Sequence, residues 1–349
     1  MKVSYLTRYN NKLLYDSGEA LSYISDRRRV VGWAKERGHT LISKPTEEAD
    51  AAVFGVLSDL RQLEKFSSQL KVLDMVDGYL ALNENPFIDV LRGLRRQDRW
   101  FQSVKFSQRL EYACSRADRV VVGSPEQARL VHKHNKRVHV ILDNQLEFGS
   151  PRAIKQPETR EKKTLIWEGL SSTLFHLFEF AEIIDEYLEK TDSRLIILSN
   201  ETIVLNKFYR KPLRTKEAID RKFPRSKVRI QFHPWNVQTL LDKSREADVA
   251  IIPLSLGDNI ALYKPENKLL IMLSLGLPAL VSPIHSYSRT LNLLGLGSFL
   301  VQENDWSFKL EELSCLQREN IDHHRVTNYL QNILNPEKLY REWDKVFDL

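Results

Sequence analysis

Short β-branched runs alternate with longer helical patterns along almost the whole chain, and this rhythm restricts the fold more than any other feature. AAVFGV (51–56), KVLDMV (71–76), RVVVGS (119–124) and RVHVIL (137–142) read as strands in the first half, with VSYL (3–6) before them. In the second half KTLIWEG (163–169), RLIILSN (194–200), KVRIQF (227–232), DVAIIP (248–253) and PALVS (278–282) repeat the series. Helical patterns lie between them, among them SDLRQLEKFSSQL, PEQARLVHKHN, SSTLFHLFEFAEIIDEYLEK and NVQTLLDKSREA. Strands that alternate with helices at this spacing form parallel sheets covered on both faces. The fold class is therefore α/β.

The stretch 143–163 is polar, carries both Pro and Gly, and lacks periodicity. It predicts a boundary between two doubly wound, Rossmann-like domains, over 1–148 and 163–333, joined by a linker over 149–162. Residues 334–349 read as an amphipathic helix that docks elsewhere, with the first domain the expected surface. Ligands of such sheets bind at the carboxyl ends of the strands, so a cleft between the two domains is the expected site.

Two cysteines, Cys114 and Cys315, are too few for a disulfide framework or a thiolate metal centre. No run approaches the roughly 20 apolar residues of a membrane span, and the N-terminus lacks a signal-peptide core. The expected location is the cytoplasm. The net charge is +6, with Arg or Lys mixed with Trp in two segments, 25–44 and 91–105. Such faces suit anionic partners, among them the inner surface of a membrane; nucleic acid is not the expected partner. Arg95 and Arg96 are the expected membrane contacts. The alternative is a solvated helix surface.

YKPENKLLIMLSLGLP (263–278) poses an electrostatic problem. Pro265 and Gly276 mark the ends of a helix, yet Lys264 and Lys268 stand at its start, where the helix dipole already leaves positive charge. Four residues apart, they are expected to share a face. A bound diphosphate would turn the cost into attraction, with the end amides of Glu266, Asn267 and Lys268 completing an anion site. The alternative is that Glu266 and Asn267 compensate locally and both lysines point to water.

Further candidates lie at strand ends. In WEGLSST (167–173), Gly169 admits a close ligand, Ser171, Ser172 and Thr173 offer hydroxyls or a helix cap, and Glu168 can bind a sugar hydroxyl. Trp235 of HPW can stack on a base, with Asn200 in the same pocket. Asp77 can act as a base toward a hydroxyl or cap the next helix. Arg27 and Arg28 are candidates for an anionic acceptor. No Asp-x-Asp at a strand end, G-x-S-x-G, Walker loop or full G-x-G-x-x-G occurs.

ENKLLIMLSLGLPALVS, preceded by READVAIIPL, resembles the donor-binding half of GT-B glycosyltransferases, in particular the large retaining group that uses nucleotide sugars (family 4-like, or group 1). YACSRADRVVVGSPEQARLVHKHNKRVHVILDN (112–144) resembles the segment that closes the N-terminal domain in that group, and VLDMVDGYL (72–80) its acidic strand end. The resemblance implies transfer of a sugar from a nucleotide-diphosphate sugar to a glycan or lipid-linked hydroxyl. It also implies retention, no metal and no cofactor beyond the donor. Two departures stand out. The paired motif glutamates fall on Tyr263 and Ile271, and the loop after KTLIWEG carries no cation. Rival readings are a sugar-nucleotide epimerase and a non-catalytic GT-B subunit.

Overall fold

The structure is a computed structural model that describes residues 1–6, 28–42, 48–66, 69–96, 98–155, 162–203, 213–315 and 321–349. It divides into two compact units. One comprises Met1–Gln145, Asp258–Pro265 and Ile333–Leu349; the other comprises Leu146–Gly257 and Glu266–Asn332. Among the described residues no helix is long and apolar enough to cross a membrane.

The first unit is built on β1 (Lys2–Leu6), β2 (Thr40–Ile42), β3 (Ala51–Gly55), β4 (Leu70–Met75), β5 (Arg119–Val122) and β6 (Val138–Val140). Their order is β2-β1-β3-β4-β5-β6, and every pairing is parallel. Central strands buried on both faces need unbroken apolar runs, which is why VFG, VLDM and VVV were readable: Val53, Phe54, Leu73, Val120, Val121 and Val122 are fully buried. β2 was not readable, because its TLI is short and sits inside a basic segment. The helix expected over SDLRQLEKFSSQL is only a 3₁₀ turn, Leu60–Glu64.

Among its described residues the first basic segment turns Arg28, Arg29 and Trp33 inward as packing groups and leaves Lys35 and Glu36 exposed. Trp33, on the helix Val30–Glu36, is fully buried. It stacks on Phe347 with ring centroids 4.5 Å apart and donates from Nε1 to Asp344 Oδ1 at 2.7 Å. Arg37 reaches Glu337 and Asp344 on the same C-terminal helix, Pro336–Val346, at 3.0 and 2.8 Å. Arg29 is also buried: it pairs with Asp74 at 2.7 Å and Asp143 at 3.2 Å, and donates to Ile141 O at 2.6 Å. A cation this deep must be paired and hydrogen-bonded, and here it ties the ends of β4 and β6 together. Burial pushes the Asp143 carboxyl up despite that neighbour.

The second unit holds β7 (Thr164–Glu168), β8 (Arg194–Ser199), a short antiparallel ribbon of β9 (Thr202–Ile203) and β10 (Leu213–Arg214), then β11 (Ile230–Pro234), β12 (Val249–Ile252) and β13 (Ala279–Val281). The main sheet is parallel throughout, in the order β11-β8-β7-β12-β13. Part of the stretch read as linker is strapped to this unit. Arg152 N donates to Ser274 O and Lys155 N to Gly276 O, at 2.8 and 2.7 Å. The Lys155 ammonium reaches the carbonyls of Ser244, Arg245 and Ala247, at the C-terminus of the helix Val237–Glu246. Those carbonyls are left open by the helix and favour a cation.

Candidate functional site

At the carboxyl end of β7 the chain runs Trp167, Glu168, Gly169, and Glu168 is the hub of what gathers there. Its Oε2 accepts from Trp235 Nε1 at 3.0 Å, its carbonyl accepts from Lys268 Nζ at 2.6 Å, and its Oε1 lies 3.8 Å from that ammonium. Trp235 follows β11, whose backbone runs on so that Trp235 N donates to Ser199 O at 2.9 Å. Asn200, just past β8, accepts from Ser171 N at 2.9 Å. Strand order explains the convergence: β11, β8 and β7 are adjacent and parallel, so their ends share one edge of the sheet. The sequence placed Gly169, Ser171, Asn200, Trp235 and Lys268 as candidates separately, and the structure brings them to this edge.

Gly169 is required by crowding. A Cβ there would stand 2.8 Å from Lys268 Nζ, 2.8 Å from Thr173 Oγ1 and 2.9 Å from the Trp167 ring. The serines do not cap a helix as expected. Ser171, Ser172 and Thr173 form a 3₁₀ turn, the helix Leu174–Glu179 has no side-chain cap, and Thr173 Oγ1 donates to Leu170 O at 2.8 Å. With the Asn200 carboxamide already serving the Ser171 amide, the turn has no need of a hydroxyl cap.

The helix around Lys268 differs from its sequence reading. It spans Asn267–Ser274, with Glu266 before it and Pro265 outside it. Lys264 is not on it: that lysine follows a separate short helix, Asn259–Leu262, and its amide donates to Ala261 O at 3.1 Å. The two lysines therefore do not share a helix face. Nor does Glu266 neutralise Lys268, since its buried carboxylate pairs with Arg289 at 2.8 Å. Compensation comes from the Glu168 carboxylate and carbonyl and from the Trp167 ring, 5.0 Å from the ammonium. The helix is apolar from Leu269 to Leu273 and buried through Ser274, as expected for one packed within a domain, and Gly276 ends it in the left-handed region at φ +79°. Tyr287 is buried nearby, its phenol pushed up by burial and by the charges of Glu168 and Glu266. Arg289 and Tyr287 carry no local sequence signal for this neighbourhood.

The remaining candidates belong to the first unit. The Asp77 carboxylate accepts from Tyr79 OH at 3.3 Å and caps no helix. Burial and Asp77 together push the Tyr79 phenol up. A Cβ on Gly78 would stand 2.5 Å from Tyr263 Cβ, so Asp77 and Lys264 flank one close backbone contact. Arg28 is buried rather than displayed, and its carbonyl accepts from Asn144 N at 2.8 Å. Arg27 lies outside the described residues.

No family model matches the sequence, and no curated protein matches it. Solved structures do. TarM superposes with a TM-score of 0.54 at 10% identity, over 86% of this chain and 55% of that one. A UDP-forming trehalose-phosphate synthase from Burkholderia xenovorans gives 0.56 at 10% identity, over 87% and 74%. The fold is GT-B. A structure from E. coli, described as trehalose-6-phosphate bound with UDP-2-fluoro glucose, gives 0.55 at 10% identity, over 86% and 74%. The chain thus spans about half of TarM. In GT-B terms, Lys268 and Glu168 belong to the second of the two Rossmann-like units, at the carboxyl edge of its sheet.

Proposed function

We propose that this protein is a GT-B glycosyltransferase that moves a sugar from a nucleotide-diphosphate sugar to a hydroxyl of a glycan or lipid-linked acceptor. The observation that carries the reading is Lys268, one residue inside a helix N-terminus and held at the end of β7 by Glu168. The amides of the first helical turn and the ammonium favour a diphosphate. Glu168 and Trp235 suit the ribose hydroxyls and the base.

Transfer breaks the bond between the anomeric carbon and the diphosphate oxygen and forms one to the acceptor oxygen. Charge develops on the leaving diphosphate, where Lys268 and the helix amides stabilise it. The hydroxyl proton passes to the leaving phosphate, in keeping with retention. No metal is invoked, and Lys268 supplies the cation absent from the loop after β7. The first unit, with Asp77 and Lys264, is assigned to the acceptor. Polysaccharide synthesis beside the cytoplasmic face of a membrane is the setting that fits such an acceptor.

A second reading has its own observation: Tyr263 and the buried Ile271 stand where the resemblance calls for acids. It makes the protein a non-catalytic nucleotide-sugar-binding subunit. A thermal-shift panel of UDP, GDP, ADP, CMP and their sugars tests both readings. A ligand at 100 times its dissociation constant stabilises by about 2.7 kcal/mol, which is several degrees. One base should stabilise the wild type, Lys268→Ala should lose that shift, and Lys264→Ala should keep it. No shift with any nucleotide overturns the donor assignment. A shift without turnover across many acceptors favours the subunit.

A further inference from the structure

The helix Pro86–Leu94 is amphipathic in the reverse of the usual sense. Its packed face is polar and small. Asp89 is fully buried and accepts from Ser107 N at 2.7 Å and Ser107 Oγ at 2.6 Å, serving the first turn of the helix Phe106–Arg116. Gly93, one turn on, is pressed so close to Val104 that an added Cβ would lie 1.8 Å from its carbonyl oxygen. Val90 and Leu91 are half-buried, and the other large apolar side chains face out. Phe87 is 72% exposed, Ile88 41% and Leu94 40%, and Trp100, in the turn that follows, is 70% exposed. The other exposed large apolar side chains among the described residues are spread along the chain. A surface helix ordinarily buries its apolar stripe, and contiguous exposed apolar surface marks an interaction site.

Arginines gather around this face, and an exposed Glu64 accepts from Gln102 beside the Trp100 turn. Arg95 and Arg99 are exposed, and Arg92 is half-buried over the Tyr79 ring. The two aspartates of the segment are turned inward, Asp89 onto Ser107 and Asp98 onto Arg109 at 2.7 Å. Arg96 lies over the Phe106 ring at 4.3 Å, so Arg99 replaces it as the more outward cation beside Arg95. Phe, Leu and Trp projecting among arginines is the chemistry of an interfacial helix. Trp prefers the headgroup level, and anionic headgroups attract the guanidinium groups.

We propose that the helix Pro86–Leu94 and the Trp100 turn form a docking surface for an anionic lipid bilayer, with Phe87, Ile88, Leu94 and Trp100 inserting and Arg95 and Arg99 meeting the headgroups. The proposal stands on this surface alone and does not require the sugar-transfer reading.

Co-sedimentation of the full chain with vesicles tests it, using phosphatidylcholine alone and phosphatidylcholine mixed in equal parts with phosphatidylglycerol. The wild type should bind the anionic vesicles, and binding should weaken as salt rises. Arg95→Ala with Arg99→Ala should lower the partition coefficient roughly 30-fold, about fivefold for each charge near the surface. Phe87→Ala with Trp100→Ala should abolish the salt-resistant remainder. All four residues are exposed, so these variants should keep the wild-type circular dichroism and melting temperature, which are measured alongside. Equal binding to both vesicle types, or binding unchanged in the apolar double variant, overturns the proposal. So does a concentration-dependent dimer that Phe87→Ala with Trp100→Ala dissociates in the absence of vesicle binding, because the face would then belong to a second copy. Nucleotide binding is read in the same variants: its persistence when vesicle binding is lost keeps the two readings separate.

Discussion

Gly169→Ala measures how tightly the edge of β7 is built. The new methyl carbon would meet Lys268 Nζ and Thr173 Oγ1 at 2.8 Å and the Trp167 ring at 2.9 Å. The ammonium is the free end of a long side chain and can retreat at the expense of its bond to the Glu168 carbonyl. The Trp167 ring is buried and cannot. Overpacking of this kind costs about 1–3 kcal/mol, and part of that cost is the displaced lysine. In a Lys268→Ala background that part vanishes while the ring contact stays. The double variant should therefore be more stable than the sum of the single losses, by about 1 kcal/mol within the range seen for residues in contact. Chemical denaturation of wild type, both single variants and the double variant completes the cycle. Additivity within about 0.3–0.5 kcal/mol would refute the reasoning, for it would mean that Lys268 does not lie against Gly169. The same four proteins in the nucleotide panel report whether moving the ammonium removes the ligand shift.

Arg29→Met should cost about 3–5 kcal/mol, because it leaves Asp74 and Asp143 buried without their cation. Arg29→Lys should recover only part of the loss, since an ammonium cannot reproduce the forked contacts; denaturation midpoints check both. Glu337 is held down to about 2 by its hydrogen bonds to Arg37 and Arg341. A carboxyl lowered on folding contributes stability that is present above its unfolded value, about 4.3, and is lost as pH falls through its folded one. The melting temperature should accordingly drop between about pH 4.3 and about 2 more steeply in wild type than in Glu337→Gln. The effect is small at this exposed pair and shrinks with added salt.

The parallel strands were legible because strands buried on both faces cannot hide their composition; LIIL in β8 and VAII in β12 admit few other readings. Gly276 was legible for a similar reason, since a helix end in the left-handed region calls for glycine. The individual residues of the β7 edge were legible too, as polar or aromatic groups immediately beyond strands. Their partnerships were not. Lys268 and Glu168 are separated by 100 positions, and nothing local assigns Glu168 rather than the nearer Glu266 to that lysine. Sheet order makes the choice.

The arginine-rich segments show the same division. Sequence gives Trp and Arg in two similar patches, and by composition both suit an anionic partner. Tertiary structure separates them, because Trp33 finds Asp344 some 311 residues away while Trp100 stays in solvent. The helix Pro86–Leu94 goes further, for the sequence reading marked only the basic residues from 91 onward and not the apolar side chains that the helix turns outward. By itself the sequence determined the alternation of strands and helices, and hence the α/β class, because backbone propensity and side-chain period act over a few residues. Only the tertiary structure decided which charges are paired, which lysine stands at the helix end and which face meets solvent, because those depend on groups brought together across hundreds of residues by the order of the strands.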